Sequence, residues 1–187
     1  SLLNQKKLRN NCIVSTKMSN LGLENFLNNV GINLFKSNIG DRYVIEMMKK
    51  KNAILGGEQS GHIIFSEFSP TGDAMLSTLQ ILTILQMEKK SLSTLLNDFV
   101  KIPQKLINVK VSENPDYIFK DNKLKKLIIL SKKTLGVKGN LLLRKSGTEK
   151  LLRIMVQSYN EKLMNNILNN IKDCIKQIEI KKKSKGI

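Results

Sequence analysis

The stretch Ile54-Leu-Gly-Gly-Glu-Gln-Ser-Gly-His-Ile-Ile-Phe65 places a glycine-rich loop between two short apolar segments. The second segment, Ile63–Phe65, has the apolar character that is typical of a buried strand. Three glycines within six residues let the backbone adopt positive φ angles or approach a ligand closely. We therefore predict a strand, a tight loop and another strand, although the residues alone fit an ordinary turn equally well.

Strand-like and helix-like segments alternate on both sides of this loop. In the first half of the chain, short apolar runs predict strands, and helical periodicity predicts the segments between them. The predicted strands are 11–15, 32–36 and 63–65, and the predicted helices are 20–30, 42–51 and 74–86. Such alternation is the signature of an α/β fold. We predict an α/β/α sandwich with a mixed, largely parallel sheet over residues 1–100.

The pattern changes after a short helix and a connector that ends near Pro103. Beyond it, apolar and polar residues alternate in several short segments, and one long amphipathic helix follows. The predicted strands are 106–111, 127–131, 140–144 and 151–158, and the predicted helix is 161–178. This order predicts a small α+β domain with a mainly antiparallel sheet over residues 101–187.

The composition of the chain limits the classes of partner that it is suited to bind. The 187 residues carry a net charge of +17, but only four of the 32 basic residues are arginine, aromatic residues make up 5%, and tryptophan is missing. Stacking platforms for nucleic acid are therefore scarce, and a nucleic-acid binder is the weakest alternative. The apolar runs fall far short of the roughly 20 residues that span a bilayer, so we expect no membrane segment. A lysine-rich surface would attract anionic sugar phosphates.

The two cysteines, Cys12 and Cys174, lie far apart and have no metal-ligand spacing. Cys174 falls on the apolar stripe of the last predicted helix. We expect two buried thiols in the reducing environment of the cytoplasm.

The loop at 56–62 carries polar groups that suit a polyol. The carboxylate of Glu58 accepts hydrogen bonds from vicinal hydroxyls or an amine, and Ser60 both donates and accepts. His62, the only histidine, follows directly, but a lone histidine beside a strand is more often structural than catalytic. Because no second histidine or cysteine lies nearby, we expect no metal site.

A second motif, Arg144-Lys-Ser-Gly-Thr-Glu-Lys-Leu-Leu-Arg153, lies between two predicted strands. Arg144 presents a planar fork that matches phosphate, and the hydroxyls of Ser146 and Thr148 add donors. The amides around Gly147 are suited to an anion-binding nest, and Arg153 is placed to return from the next strand. These residues indicate a phosphate site, with a basic surface hairpin as the alternative.

Both motifs resemble those of the α-D-phosphohexomutases. The loop at 56–62 looks like the sugar-binding loop of that family's third domain, and residues 144–153 look like the phosphate-binding loop of its fourth domain. Further similar segments are Met18–Leu23, Gly40–Val44, Thr71–Asp73, Pro103–Gln104 and Leu106–Val109. The resemblance covers residues 11–178, and Gln59 is the variant associated with the phosphoglucosamine mutase branch.

The resemblance implies interconversion of glucosamine 6-phosphate and glucosamine 1-phosphate. The reaction would proceed through a phosphoserine and a glucosamine 1,6-bisphosphate intermediate, with magnesium as the cofactor. It would serve UDP-N-acetylglucosamine and peptidoglycan synthesis in the cytoplasm. The implied sugar contacts are Arg42, Glu58, Gln59, Ser60 and His62, the last either assisting proton transfer or shaping the loop. The implied phosphate contacts are Arg144, Ser146, Gly147, Thr148 and Arg153. Lys145 and Lys150 depart from the resemblance, because prolines are usual at both positions.

The sequence lacks the serine loop and the aspartate loop that carry the phosphoryl group and magnesium in this family. We therefore expect this chain to be a piece of a longer enzyme and to be inactive as a mutase alone. Its expected partners are the missing N-terminal domains of the same protein. Whether the parent enzyme is a homodimer is left open. The alternatives are a non-catalytic sugar-phosphate-binding module and another phosphohexomutase, a phosphomannomutase or a phosphoglucomutase.

Overall fold

The computed structural model describes residues 1–97, 99–147 and 149–184. The chain divides into two compact units, the first ending at Lys101 and the second beginning at Ile102. In the first unit the elements are β1 (Cys12–Thr16), α1 (Leu21–Asn29), β2 (Asn33–Ser37), α2 (Asp41–Lys51), β3 (Leu55–Gly57), β4 (Ile63–Phe65), α3 (Ala74–Glu88) and α4 (Leu92–Leu96). In the second they are β5 (Gln104–Lys110), α5 (Asp116–Lys120), α6 (Asn122–Leu135), β6 (Gly139–Lys145), β7 (Leu151–Ser158) and α7 (Glu161–Lys183).

The first unit is built on a four-stranded sheet in the order β2-β1-β3-β4. Strand β1 runs parallel to β2, from Cys12 opposite Asn33 onwards, and parallel to β3. Strand β4 is antiparallel to β3, with Gly56 opposite Ile64. The predicted mixed, largely parallel sheet is confirmed.

Helix α2 packs tightly on one face of this sheet. Val44 and Met48, one turn apart on α2, are buried together with Val14 of β1 and Ile64 of β4. Gly56 makes this approach feasible, because a Cβ at that position would lie 2.9 Å from Cγ1 of Val44 and 3.0 Å from Cγ of Met48. The close contact between α2 and β3 brings the first residues of α2 beside the loop that follows β3.

The second unit contains a three-stranded sheet in the order β5-β7-β6, in which both pairs are antiparallel. The predicted antiparallel character of this sheet is confirmed. Leu152, Ile154 and Val156 alternate along β7 and are fully buried among residues of α6 and α7, including Ile171 and Ile175. Alternation along a strand directs the intervening residues to the opposite face. One face of the sheet therefore forms the core with α6 and α7, and the opposite face carries both polar and apolar side chains, with Met155 fully buried there.

The predicted strand at 127–131 is wrong, because these residues lie inside α6. The run of four apolar residues there does not alternate between two faces. Buried positions at Leu124, Ser131 and Leu135 follow helical spacing, whereas Ile129 and Leu130 are exposed. The side chain of Asp121 also accepts hydrogen bonds from the first backbone amides, which fixes the start of the helix.

Both cysteines are free and buried, as predicted, and burial raises the pKa of each thiol. Across the part of the chain that the structure describes, every helix is too short or too polar to span a lipid bilayer.

Candidate functional site

The loop between β3 and β4 is closed by backbone hydrogen bonds around Glu58. The amide of Glu58 donates to the carbonyl of His62 at 2.9 Å, and the amide of Gly61 donates to the carbonyl of Glu58 at 3.1 Å. Gly61 has φ +99°, which other residues rarely adopt. The turn leaves Gln59 and Ser60 exposed at its tip. The predicted polar groups therefore lie together on one tight loop.

The carboxylate of Glu58 is held from the neighbouring helix. Its Oε1 accepts a hydrogen bond from the backbone amide of Gly40 at 2.8 Å, just before α2 begins. The side chain of Glu58 is only 10% exposed, so its orientation is restricted. A buried carboxylate with one oxygen bound to the backbone retains acceptor capacity for a ligand.

His62 lies against two carboxylates. Its Nδ1 is 3.4 Å from Oδ2 of Asp41 and 4.0 Å from Oε2 of Glu58. The imidazole is 57% exposed and Asp41 is 48% exposed, so this cluster opens to solvent. Asp41 was not among the predicted site residues, although it lies in the segment Gly40–Val44 that resembles the family. Only the fold brings its carboxylate to the loop.

Among the residues that the structure describes, one group of three histidine, cysteine, aspartate or glutamate side chains has ligand atoms close enough together to share a metal ion. Its members are Asp41, Glu58 and His62. They do not fit magnesium, which requires near-octahedral coordination by oxygen atoms. One of the three ligands is an imidazole nitrogen, and one oxygen of Glu58 is already bound by Gly40. This cluster therefore offers no magnesium site.

Arg42 follows Asp41 but does not join this cluster. Its guanidinium pairs with Glu46 one turn further along α2 at 2.8 Å and is 84% exposed. That ion pair raises the pKa of Arg42. The role of Arg42 as a sugar contact stays a prediction.

The second motif forms the β6–β7 hairpin. Arg144 and Arg153 lie directly opposite each other on the two strands. Their neighbours along the strands, Leu143, Leu152 and Ile154, pack in the core with α6 and α7. By alternation, both guanidinium groups project from the sheet face that is opposite the helices.

Two like charges directly opposite each other repel. Glu149 compensates in part, since its Oε2 lies 3.6 Å from a terminal nitrogen of Arg153. Within the described residues, the buried Nε of Arg153 has no hydrogen-bond partner. An oxyanion bound between the two arginines would relieve the repulsion and satisfy such a donor.

The hairpin turn is closed by residues on either side of its tip. The amide of Ser146 donates to the carbonyl of Leu151 at 2.9 Å, and the hydroxyl of Ser146 accepts from the amide of Glu149 at 3.3 Å. Gly147 is exposed, and a Cβ added there would meet nothing within 4 Å. The predicted contact Thr148 lies outside the described residues.

Lys145 has a structural partner. Its Nζ lies 3.0 Å from Oδ1 of Asp116 at the start of α5, and this hydrogen bond lowers the pKa of the Asp116 carboxyl. The carbonyl of Lys150 accepts a hydrogen bond from the amide of Val111 at 3.0 Å. Both lysines therefore anchor the ends of the hairpin to the rest of the unit.

Comparison with known proteins assigns both halves of the chain. A family model for the α/β/α domain III of phosphoglucomutases and phosphomannomutases matches residues 1–102, and the model for their C-terminal domain matches residues 106–173. The chain belongs to the phosphoglucomutase/phosphomannomutase family. The two motifs therefore lie in two different domains of this family.

Curated relatives in the phosphoglucomutase/phosphomannomutase family agree with this assignment. The phosphoglucosamine mutase of Bacillus cytotoxicus is 42% identical over 170 residues, which cover 91% of this chain and 38% of the relative. The phosphoglucosamine mutase of Roseobacter denitrificans is 40% identical over 169 residues, covering 90% of this chain and 37% of the relative. The chain thus spans less than two fifths of the length of these relatives.

Two solved structures share the fold of this chain. The Aspergillus fumigatus N-acetylphosphoglucosamine mutase in complex with GlcNAc-6P and magnesium matches with a TM-score of 0.74 at 18% identity, covering 90% of this chain and 39% of that one. A Burkholderia thailandensis phosphoglucomutase/phosphomannomutase family protein matches with a TM-score of 0.66 at 17% identity, covering 89% and 37%. At such low identity these matches establish the fold alone.

Proposed function

We propose that this chain supplies the sugar- and phosphate-binding groups of a phosphoglucosamine mutase. The whole enzyme would interconvert glucosamine 6-phosphate and glucosamine 1-phosphate through a phosphoserine and a 1,6-bisphosphate, within the cytoplasmic route to UDP-N-acetylglucosamine and peptidoglycan. The observation that carries this proposal is the pair Arg144 and Arg153, two guanidinium groups placed opposite each other on one hairpin.

The arginine pair suits a phosphate that does not react. A guanidinium grips phosphate oxygens in a fixed geometry without contacting the sugar behind them. Ser146 and the amides near Gly147 supply further donors, and Thr148 is expected to add a hydroxyl. A mutase that handles both 1- and 6-phosphates needs a site that accepts either end of the sugar, and this hairpin has the required groups.

The loop after β3 suits the sugar. Glu58 is held by the amide of Gly40, and Gln59 and Ser60 are exposed beside it. A fixed carboxylate accepts hydrogen bonds from sugar hydroxyls or from the ammonium of glucosamine, and charged acceptors form the stronger bonds. His62 shapes the loop through its carbonyl, which accepts from the amide of Glu58.

The serine that carries the phosphoryl group and the ligands for magnesium would belong to other parts of the enzyme. When bound there, magnesium would stabilise the charge of the transferring phosphoryl group. The residues of this chain would bind and orient the sugar phosphate, and we expect no mutase turnover from the chain alone. A stand-alone module that binds sugar phosphates without catalysis would use the same two loops.

Glu58→Gln is expected to weaken binding of glucosamine 6-phosphate about tenfold or more, because a hydrogen bond to a charged group contributes about 1.5–3 kcal/mol. Binding of inorganic phosphate is expected to stay unchanged. Isothermal titration of both ligands measures the difference. Glutamine retains an oxygen that accepts from Gly40, so the loop is expected to keep its shape.

The matched control is Glu67→Gln, which removes one exposed carboxylate charge from the same unit, where Glu67 pairs with Arg9. It is expected to leave both affinities unchanged. A sugar role for Glu58 is excluded if Glu58→Gln binds glucosamine 6-phosphate as tightly as the wild-type chain does.

A further inference from the structure

Asp41, the first residue of α2, lies beside the loop between β3 and β4 and is close enough to interact with the imidazole of His62. Asp41 follows Gly40, whose amide is bound to Oε1 of Glu58, so the helix start and the loop are fixed relative to each other. Within this arrangement Oδ2 of Asp41 is 3.4 Å from Nδ1 of His62. The backbone places this carboxylate near one particular ring nitrogen.

Asp41 is the nearer of the two carboxylates that face this nitrogen. Oε2 of Glu58 lies at 4.0 Å, and its Oε1 is already bound by Gly40. A separation of 3.4 Å is slightly longer than an ordinary N–H···O hydrogen bond, and a small rotation of the exposed imidazole would close it. Catalytic hydrogen bonds are commonly long before a ligand binds.

The consequence is a choice between the two neutral forms of the imidazole. A carboxylate beside Nδ1 favours the proton on that nitrogen, because Nδ1–H can then donate to it. Nε2 is left without a proton and becomes an acceptor. In the opposite tautomer, a nitrogen lone pair would face the negative oxygen of Asp41.

We propose that Asp41 is a positioning residue that holds His62 in the Nδ1–H tautomer, so that Nε2 of His62 accepts a hydrogen bond from a hydroxyl or ammonium group of the bound sugar phosphate. The part of this inference that concerns the sugar rests on the proposed function. The tautomer itself is a property of the free chain and does not depend on any ligand.

His62 is the only histidine, so the tautomer can be read without assignment. The experiment is a long-range proton–nitrogen correlation spectrum of the 15N-labelled chain, recorded at a pH above which the imidazole nitrogen shifts no longer change. The expected result is a predominant Nδ1–H form in the wild-type chain and a shift toward Nε2–H in Asp41→Asn. A predominant Nε2–H form in the wild-type chain would overturn the inference, as would an unchanged population in Asp41→Asn.

Two further variants separate the roles of the carboxylates. Asp121→Asn makes the same change at the N-cap of α6 in the other unit and is expected to leave the His62 signals as they are. Glu58→Gln is expected to change them less than Asp41→Asn does. If Glu58→Gln changes the His62 signals more than Asp41→Asn does, Glu58 controls the tautomer of His62, and the proposed role of Asp41 is overturned.

Affinity for glucosamine 6-phosphate supplies the second readout. Asp41→Asn is expected to weaken it about 3- to 10-fold, as the loss of one well-oriented hydrogen bond would. A shifted tautomer with unchanged affinity overturns the positioning role. If the wild-type chain itself fails to bind the sugar phosphate, the proposed function fails, and the spectra still decide whether Asp41 sets the tautomer.

Discussion

The Arg144→Ala variant is expected to bind glucosamine 6-phosphate about 100-fold more weakly than the wild-type chain. A bidentate guanidinium–phosphate contact involves two charge-assisted hydrogen bonds, and its loss corresponds to about 3 kcal/mol. Inorganic phosphate is expected to lose affinity by a similar factor, because in the proposed site Arg144 would contact the phosphate and not the sugar. Isothermal titration of the two ligands measures both effects.

The free energy of unfolding is expected to change little in Arg144→Ala. Arg144 lies opposite Arg153, and removing one of two facing like charges relieves repulsion in the unliganded hairpin. This relief offsets the loss of the interactions that Arg144 itself makes in the native hairpin. Chemical denaturation of Arg144→Ala should therefore show an unfolding free energy within about 1 kcal/mol of the wild-type value. This combination separates a binding role from a folding role.

The matched control for charge is Arg9→Ala. Arg9 forms an exposed ion pair with Glu67 in the first unit, so this variant removes the same charge away from the hairpin. Its affinity for glucosamine 6-phosphate is expected to match the wild-type value. Equal losses in Arg9→Ala and Arg144→Ala would mean that overall positive charge attracts the ligand and that the hairpin is not a site.

The second large effect is expected from Ile154→Ala, which should destabilise the second unit by about 2–5 kcal/mol. Ile154 is fully buried at the centre of β7, between the partner strands and the core formed with α6 and α7. Truncation removes three carbon atoms and leaves a cavity that close-packed neighbours fill only in part. Native-state hydrogen exchange measures the loss at amides of β5, β6 and β7.

Hydrogen exchange also reports the two units separately. Amides of β1 and β2 are expected to keep their protection in Ile154→Ala, because the two units have separate cores. Val137→Ala serves as the control, since Val137 is 90% exposed and should change stability by less than about 0.5 kcal/mol. If the β7 amides of Ile154→Ala are as well protected from exchange as those of the wild-type chain, the core described for the second unit is contradicted.

The local sequence pattern predicted those elements in which one periodicity is unambiguous. In β7 the alternation of Leu152, Ile154 and Val156 with their neighbours gave the observed bounds, because burial on one face of a sheet enforces a period of two. In α6 the apolar run at 127–131 suggested a strand. The helix is determined by the Asp121 cap and by more widely spaced buried positions, which a short window does not include.

The residues of each site that share one loop or one hairpin were predictable from the sequence. Glu58, Gln59 and Ser60 share one loop, so their proximity follows from the chain itself. The contact of Asp41 with His62 depends on how α2 packs against β3. That packing is close because Gly56 has no side chain. Such packing is a tertiary property, and a single sequence gives no signal for it.

A titration of the 15N-labelled chain with glucosamine 6-phosphate, followed by proton–nitrogen correlation spectra, examines both loops at once. Saturable shifts are predicted for amides of residues 57–62 and for amides of the hairpin between Arg144 and Arg153. Inorganic phosphate is predicted to shift the hairpin alone. Shifts that do not saturate, or that are confined to the lysine-rich surfaces of α6 and α7, would contradict the assignment of sugar and phosphate sites to these two loops.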